Sequence, residues 1–135
     1  MLALEKFART TEERTGVTCH FTYEVPVRLR DPERAEHLYR IAQEACTNAL
    51  KHAQARAIRM SLTGSGQRRS LSIYDDGKGF SSAVSSAENE PGIGLQTMRN
   101  RAELIGAELT IEALSEGGTV VRCTFPVSQK KPADG

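Results

Sequence analysis

The chain has 135 residues, of which 39% are hydrophobic and 26% are charged, a size and composition typical of one domain with a real core. Its 18 basic and 17 acidic residues give a net charge of +1, so no general field attracts it to nucleic acid or to a membrane surface. The apolar runs fall far short of the ~20 residues that a membrane-spanning helix needs. We also expect no signal peptide, because the amino-terminal segment turns polar too soon.

The three cysteines predict free thiols. Cys19, Cys46 and Cys123 are odd in number and scattered, and no C-x-x-C pair occurs. This usage argues against a disulfide framework and against a structural zinc site. Buried or half-buried thiols of this kind are typical of a reducing compartment, so we expect a cytoplasmic location.

The first predicted elements alternate between helix and strand. Residues 2–15 have the pattern of a charged helix, and residues 17–25 alternate apolar and polar side chains as a strand with one covered face does. A long helix follows, because Asp31 can cap it, Pro32 suits its first position and the helical pattern continues to about Ala53.

The second half of the chain predicts two hairpins and a helix. The strands of the first hairpin flank the turn GSGQ, and those of the second flank SEGG; they comprise residues 57–62 with 69–75, and 107–114 with 119–127. A helix over 94–105 lies between the hairpins and ends at Gly106. Together these elements predict an α+β fold, a two-layer α/β sandwich with a mixed, mostly antiparallel sheet and helices on one face.

The long helix has one apolar face and one row of polar side chains. At about 100° per residue, the core face comprises Leu38, Ile41, Ala42, Ala45, Cys46, Ala49 and Leu50. Glu44, Asn48 and Lys51 form a row on the other side, with His52 nearby. Asn48 lies near the edge of the apolar arc, where we expect the helix to meet a cleft. Taken alone, the row also fits an ordinary solvated helix face.

Two Gly-x-Gly pairs flank a segment that has no core-forming side chains. Gly77 and Gly79 follow an acidic dipeptide at a strand end, whereas Gly92 and Gly94 open a helix. The first pair would let a base or ribose approach the backbone, and the second would expose N–H groups to phosphate. We expect the segment between them to be a lid hinged at both ends. Two ordinary turns and a surface loop would have the same pattern.

A dinucleotide-binding fingerprint does not explain the second pair. The sequence GIGLQT has Thr97 where the third glycine would stand, and the AENEP before it is not a buried strand.

Four segments resemble, in order, the motifs of the GHKL superfamily. They are QEACTNALKHA for the N box, DDGKGF for the G1 box, GIGLQTMRNRAELIGAEL for the G2 box and GGTVVRCTFP for the closing strands. The resemblance covers residues 17–127 and implies the Bergerat-type sandwich of histidine-kinase catalytic domains. An MR-x-RA sequence after the G2 box is typical of sensor kinases whose partners are NarL/LuxR-type response regulators. Asn100 and the Gly106-Ala107 pair depart from the usual residues, away from the matched nucleotide contacts.

The resemblance implies roles for residues at the phosphate end of a nucleotide site. Asn48 matches the asparagine that binds Mg²⁺, and a hard cation suits its carbonyl oxygen. Glu44 matches the general base of the hydrolytic members, and here we expect it to help organise Mg²⁺ and phosphate. Lys51 would lie near the phosphates, and His52 would line the cleft.

The resemblance also implies how the base and the lid are held. Asp75 matches the aspartate that accepts a hydrogen bond from the adenine amino group, and Thr119 matches a threonine that helps to hold the adenine. The glycines would form the lid hinges and the phosphate-side backbone; they are Gly77, Gly79, Gly92 and Gly94.

The implied cofactors are ATP and Mg²⁺, and the implied activity is that of a histidine kinase. None of His20, His37 and His52 lies in an acceptor motif, so we expect residues 1–127 to be a catalytic and ATP-binding domain. It would donate the γ-phosphoryl group to a histidine of a separate dimerisation domain, for relay to a NarL/LuxR-type regulator. We expect a disordered tail at 128–135, no nucleic-acid partner, a monomeric isolated domain, and a homodimeric parent kinase that is either cytoplasmic or membrane-anchored with this part in the cytosol.

Three other functions fit the same motifs. The first is a serine kinase of the anti-sigma-factor type, and the second is an ATPase of the gyrase, chaperone or mismatch-repair branch. That branch normally adds a domain with a lysine, for which we expect this chain to be too short. The third is a degenerate nucleotide-binding module that serves as a partner platform, against which the intact Asn48, Asp75 and Gly94 argue.

Overall fold

The helices and strands follow the predicted order in a computed structural model, which describes residues 2–24, 32–51, 54–77 and 92–126. In chain order the described elements are α1 (Leu2–Thr15), β1 (Thr18–Tyr23), α2 (Pro32–Lys51), β2 (Ala57–Ser65), β3 (Arg68–Asp75), α3 (Gly92–Leu104), β4 (Glu108–Ala113) and β5 (Thr119–Pro126). Helix α3 begins two residues earlier than predicted, at the first glycine of its pair. The predicted tail at 128–135 lies outside the described residues.

The described strands form a five-stranded mixed sheet in the order β1-β2-β3-β5-β4. Strand β1 runs parallel to β2, and the other neighbouring pairs are antiparallel. Both predicted hairpins are present, and pairing of β3 with β5 joins them into one sheet. The predicted mixed, mostly antiparallel sheet is therefore confirmed.

The hydrophobic core lies between one face of the sheet and the three described helices. Its buried members come from every helix and from the central strands, and include Leu4, Leu38, Ile41, Met60, Ile73, Met98 and Phe125. Because all three helices contribute to one cluster of buried side chains, they lie on the same face of the sheet. The opposite face carries polar residues such as His20, Arg59, Ser61, Ser72 and Arg122. This arrangement is the predicted two-layer sandwich.

Helix α2 buries the apolar face that its sequence predicts, with one difference. Six of its buried residues belong to the predicted face: Leu38, Ile41, Ala42, Ala45, Cys46 and Ala49. Leu50 is only partly buried and packs against the core from its edge. Leu50 therefore remains available at the surface between α2 and its neighbours.

Arg34 fastens the first turn of α2 to the ends of two other elements. Its guanidinium donates to the carbonyl of Pro126 at 3.1 Å and to that of Ile105 at 3.2 Å. The same group lies 5.7 Å from the centre of the Phe125 ring. These contacts hold the amino-terminal end of α2 against the sheet, and so fix the direction in which the helix carries Glu44 and Asn48.

Within the described residues, none of the helices combines the length and the apolar character that crossing a lipid bilayer would require.

Candidate functional site

Asp75 is a buried carboxylate at the carboxyl end of β3. Its side chain is on the same strand face as Leu71 and Ile73, which point into the core, and the residue is 6% exposed. Its Oδ1 accepts a hydrogen bond from the backbone N–H of Gly77 at 2.8 Å. Burial raises the pKa of Asp75 above its ordinary value, and the Gly77 hydrogen bond opposes that rise. Asp75 is thus a desolvated acceptor at the end of the sheet.

Thr119 lies directly opposite Asp75 in the pairing of β3 with β5. Opposed residues of an antiparallel pair project from the same face, so the Thr119 side chain lies beside the carboxylate. Thr119 is also 6% exposed. The two polar residues that the resemblance assigns to adenine therefore lie together on the helix side of the sheet.

Asp76 has a different environment from its neighbour, although the sequence does not distinguish them. Its Oδ1 accepts from the backbone N–H groups of Arg56 at 2.8 Å and Ala57 at 3.0 Å. These hydrogen bonds lower the pKa of Asp76. Asp76 therefore holds the start of β2 against the end of β3, a role that our sequence analysis did not assign. Strand alternation is the signal that separates the two aspartates.

The first turn of α3 lies directly against the polar row of α2. A Cβ placed on Gly94 would collide with Oε2 of Glu44, and would lie 3.2 Å from its Cδ and 3.5 Å from Oδ1 of Asn48. Only glycine allows the two helices to come this close with the Glu44 side chain in this position. Glu44 and Asn48 are consequently half-buried rather than fully solvated. The ordinary solvated-face interpretation of this row does not hold for these two residues.

Further along, α3 is held to α2 by a contact between Arg101 and His37. Arg101 donates from a guanidinium nitrogen to Nδ1 of His37 at 3.1 Å. The other ring nitrogen of His37 lies 3.9 Å from the Glu33 carboxylate. We expected a structural role for His37, and this interhelical contact is consistent with one.

Three of the other predicted site residues lie in the described ranges. Lys51 is exposed at the carboxyl end of α2, Gly92 is the first residue of α3, and Gly77 is half-buried after β3. His52 and Gly79 lie outside the described residues.

Asp75 lies near the carboxyl-terminal half of α2. The pKa of the Cys46 thiol is raised well above its usual value by its hydrogen bond with Cys19 and by burial, and also by the nearby charge of Asp75. Asp75 is thus near Cys46, which precedes Asn48 by two residues on α2. The structure forms two groups of predicted site residues: Glu44, Asn48 and Gly94 meet where α2 contacts α3, and Asp75, Gly77 and Thr119 meet at the end of β3.

These residues fit a nucleotide with its magnesium ion. Mg²⁺ keeps several waters and is usually held by one or two protein oxygens together with substrate phosphates. Asn48 and Glu44 supply such oxygens beside the amino-terminal turn of α3, where helix N–H groups favour an anion. No cluster of three or more His, Cys, Asp or Glu residues in the described ranges could hold a metal by itself. A metal that arrives with a phosphate ligand suits this donor set.

Gly118 allows the turn between β4 and β5 to pack on the backbone of the site. Its φ is +108°, and a Cβ there would collide with the carbonyl oxygen of Asp75 and lie 3.4 Å from Cα of Asp76. The neighbouring Gly117 has a φ of +98°. This turn therefore supports the backbone that carries Asp75. In the sequence it was recognisable only as a glycine pair in a hairpin turn.

Replacing Gly118 by alanine is expected to lower the free energy of unfolding by about 1–3 kcal/mol, because both the φ and the contact with Asp75 disfavour a Cβ. Gly117→Ala is a matched control, since Gly117 has a similar φ of +98° but a Cβ there would lie 3.8 Å from the carbonyl oxygen of Gly77, an ordinary contact. Urea denaturation of the two variants measures the difference. Equal losses would show that the contact with Asp75 contributes nothing to stability.

Comparison with protein families supports one assignment. The model described as "Histidine kinase-, DNA gyrase B-, and HSP90-like ATPase" matches residues 33–129. The chain is also 30% identical over 129 residues to the signal transduction histidine-protein kinase/phosphatase DegS of Brevibacillus brevis. That match covers 95% of this chain and 32% of DegS, so the chain spans about a third of this relative's length.

Solved structures share the fold. The histidine kinase domain of the blue-light activated histidine kinase from Erythrobacter litoralis EL346 superposes with a TM-score of 0.74 at 23% identity, over 93% of this chain and 60% of that one. The ATP binding domain of PrrB from Mycobacterium tuberculosis gives a TM-score of 0.67 at 21% identity, over 93% and 92% of the respective chains. The predicted α+β sandwich and the predicted superfamily are both confirmed. The chain belongs to the histidine kinase-, DNA gyrase B- and HSP90-like ATPase family.

Proposed function

We propose that this chain is the ATP-binding catalytic domain of a two-component sensor histidine kinase. It binds Mg-ATP and donates the γ-phosphoryl group to a histidine of a separate dimerisation domain. The observation that carries the proposal is the meeting of Glu44, Asn48 and Gly94 where α2 contacts α3, together with the burial of Asp75 at the end of β3. The similarity to the kinase DegS supports it.

In this proposal Asp75 and Thr119 select the base. The Asp75 carboxylate accepts a hydrogen bond from the adenine amino group, while Gly77 holds its Oδ1 in place. Both side chains are buried, so a base that presents an acceptor instead would leave the carboxylate unpaired. Sites built on such contacts discriminate strongly between substrates.

The phosphate end is assigned to α2 and the start of α3. Asn48 would hold the magnesium ion, and Glu44 would help to orient the ion and the phosphates. When bound, the ion neutralises charge on the phosphates. Lys51 and His52 line the same end, and Gly77, Gly79, Gly92 and Gly94 supply the lid hinges and open backbone. Phosphoryl transfer depends mainly on positioning and charge neutralisation, which are the contributions that these residues can make.

The proposed partners follow from the same assignment. Residues 1–127 form the catalytic domain and 128–135 form a tail. The dimerisation domain belongs to the same homodimeric kinase, which is either cytoplasmic or membrane-anchored with this part in the cytosol. The MRNRA sequence of α3 and the similarity to DegS both favour a NarL/LuxR-type regulator as the final acceptor.

Titration with ATP in a calorimeter tests the proposal directly. We expect binding that requires Mg²⁺ for full strength and that is much weaker for GTP. Incubation with labelled ATP should leave no stable label on the isolated chain. Absence of heat with ATP, or stable label on His20, His37 or His52, would contradict the proposed function.

A transfer assay separates this function from its alternatives. Transfer to a purified histidine-bearing dimerisation domain is expected. Transfer to a serine-bearing protein would indicate the anti-sigma-factor type of kinase, and steady release of phosphate would indicate an ATPase. Binding of ATP with none of these reactions would indicate a degenerate module.

A further inference from the structure

A groove of about 540 Å³ runs along the outer face of α2, between α1 and α3. Its apolar part includes Phe7 of α1, Leu50 of α2 and Met98 of α3. Phe7 packs edge-on against Tyr39, with ring centres 5.8 Å apart, and Met98 is fully buried. The groove therefore has a fixed apolar base rather than a loose surface.

The charge along this groove is mainly positive. Each helix contributes one arginine, Arg14 from α1, Arg40 from α2 and Arg101 from α3, whereas the lining has a single carboxylate, that of Glu44. Arg40 pairs with Glu36 at 2.8 Å, but this pair is exposed and contributes little. Arg14 makes no ion pair within the described ranges. An acidic partner would complement this pattern.

The wall of the groove also contains an unsatisfied polar group. Thr11 is 1% exposed, and its Oγ1 has no hydrogen-bond partner within the described ranges. Buried hydroxyl groups are normally paired, so Thr11 is an unexplained polar group beneath the surface of the groove.

We propose that the groove seats an acidic amphipathic helix of the domain that carries the accepting histidine. This inference rests on the proposed function. A helix with an apolar stripe flanked by Asp or Glu would place the stripe on the partly buried Phe7 and Leu50, above the buried Met98. Its carboxylates would then reach the arginines of α1, α2 and α3.

The position of the groove explains why this partner docks here. Glu44 lines the groove and also lies against Gly94 next to Asn48, so the groove adjoins the phosphate end of the site. The cavity of about 610 Å³ on the open sheet face lies on the other side of the sheet from α2. A smaller cavity of about 270 Å³ lies between α1 and the edge strand β1. A partner helix in the groove would bring its histidine toward the part of α2 that carries Glu44 and Asn48.

Two arginines of α1 provide a matched pair of variants. Arg14 lines the proposed groove, whereas Arg9 lines the cavity beside β1, and both are exposed. In transfer to a dimerisation domain, Arg14→Glu is expected to lower the rate about 10-fold, and Arg9→Glu should leave it unchanged. Equal rates for the two variants would overturn the proposal.

A direct binding probe is a labelled amphipathic peptide of roughly 18 residues, about five helical turns, with Leu on one face and Glu on both flanks. Fluorescence anisotropy should show binding that Arg14→Glu weakens about 10-fold and Arg9→Glu leaves unchanged. Amide exchange should slow near Thr11, Thr47 and Thr97. Equal binding of a peptide with Lys in place of Glu, or protection confined to the open sheet face, would overturn the proposal.

Other occupants give different results in the same experiments. Displacement of the peptide by an equal concentration of pyrophosphate would indicate a small-anion site and overturn the proposal. If sedimentation showed self-association and Arg14→Glu abolished it, the groove would hold a second copy of the chain. That result would also overturn the proposal. ATP calorimetry on the wild type distinguishes failure of the proposed function from failure of the groove proposal. Failure to bind ATP would contradict the proposed function, whereas normal ATP binding with no peptide binding would contradict only the groove proposal.

Discussion

Asp75→Asn is expected to weaken ATP binding by about 10- to 150-fold, which corresponds to the loss of one hydrogen bond to a charged acceptor. The amide of asparagine presents one acceptor where the carboxylate presents two, and Gly77 already uses Oδ1. The preference for ATP over GTP should fall as well, because an amide can donate to the guanine carbonyl. Calorimetric titration with both nucleotides measures the two effects.

The same substitution should not destabilise the chain without nucleotide. Burial raises the pKa of Asp75, so the folded state binds this proton more tightly than the unfolded state does. Ionised Asp75 therefore lowers stability at pH values above its unfolded pKa, and asparagine removes that penalty. We expect the free energy of unfolding at pH 7 to be unchanged or higher. A clear loss would show that the carboxylate stabilises the fold.

Asp76→Asn is the control, because the adjacent aspartate has the opposite electrostatic role. Hydrogen bonds from Arg56 and Ala57 lower its pKa below the ordinary 3.8. The stability that Asp76 contributes is present above its pKa in the unfolded state, about 3.8, and is lost as the pH falls through its lower pKa in the folded state. Asp76→Asn should therefore reduce stability at neutral pH, measured by urea denaturation, and leave the ratio of ATP to GTP affinity unchanged.

Gly94→Ala is expected to reduce phosphoryl transfer on the order of 100-fold, the scale of loss that a misplaced reacting group causes. The new methyl group would collide with the Glu44 carboxylate and lie close to the Asn48 amide. The methyl group would displace the Glu44 side chain and cover backbone that the phosphates would contact. Transfer to a dimerisation domain, with ATP binding followed in parallel, measures the effect.

Stability should change little in this variant, for two reasons. The atom that the methyl group meets is the end of a flexible side chain, which can move. Alanine is also favoured over glycine inside a helix by about 1 kcal/mol. A large loss of stability would show instead that the helices themselves must separate.

A double variant identifies how the methyl group acts. If it acts by displacing Glu44, then Gly94→Ala combined with Glu44→Ala should be no worse than Glu44→Ala alone. Additive losses would indicate that the methyl group meets the nucleotide directly. Normal transfer by Gly94→Ala would contradict the importance of the close approach between α2 and α3.

The sequence by itself determined the elements and much of the candidate site. The apolar arc of α2 depends on residues within one or two turns of each other, so periodicity alone predicted which face of that helix is buried. In β3 the strand alternation, seen once the burial was known, places Asp75 on the core side. The glycine pairs marked both ends of the segment at 80–91, and the four motifs predicted the family.

Only the tertiary structure decided which distant residues meet. Three contacts join segments far apart in the chain. They are the parallel pairing of β1 with β2, the close approach of Gly94 to Glu44, and the packing of Gly118 on the backbone of Asp75. The roles of Asp76 and Arg101 likewise depend on partners from other elements. Local patterns cannot specify such contacts, because they arise from how whole helices and strands pack around one core. The groove beside α2 is a product of that packing.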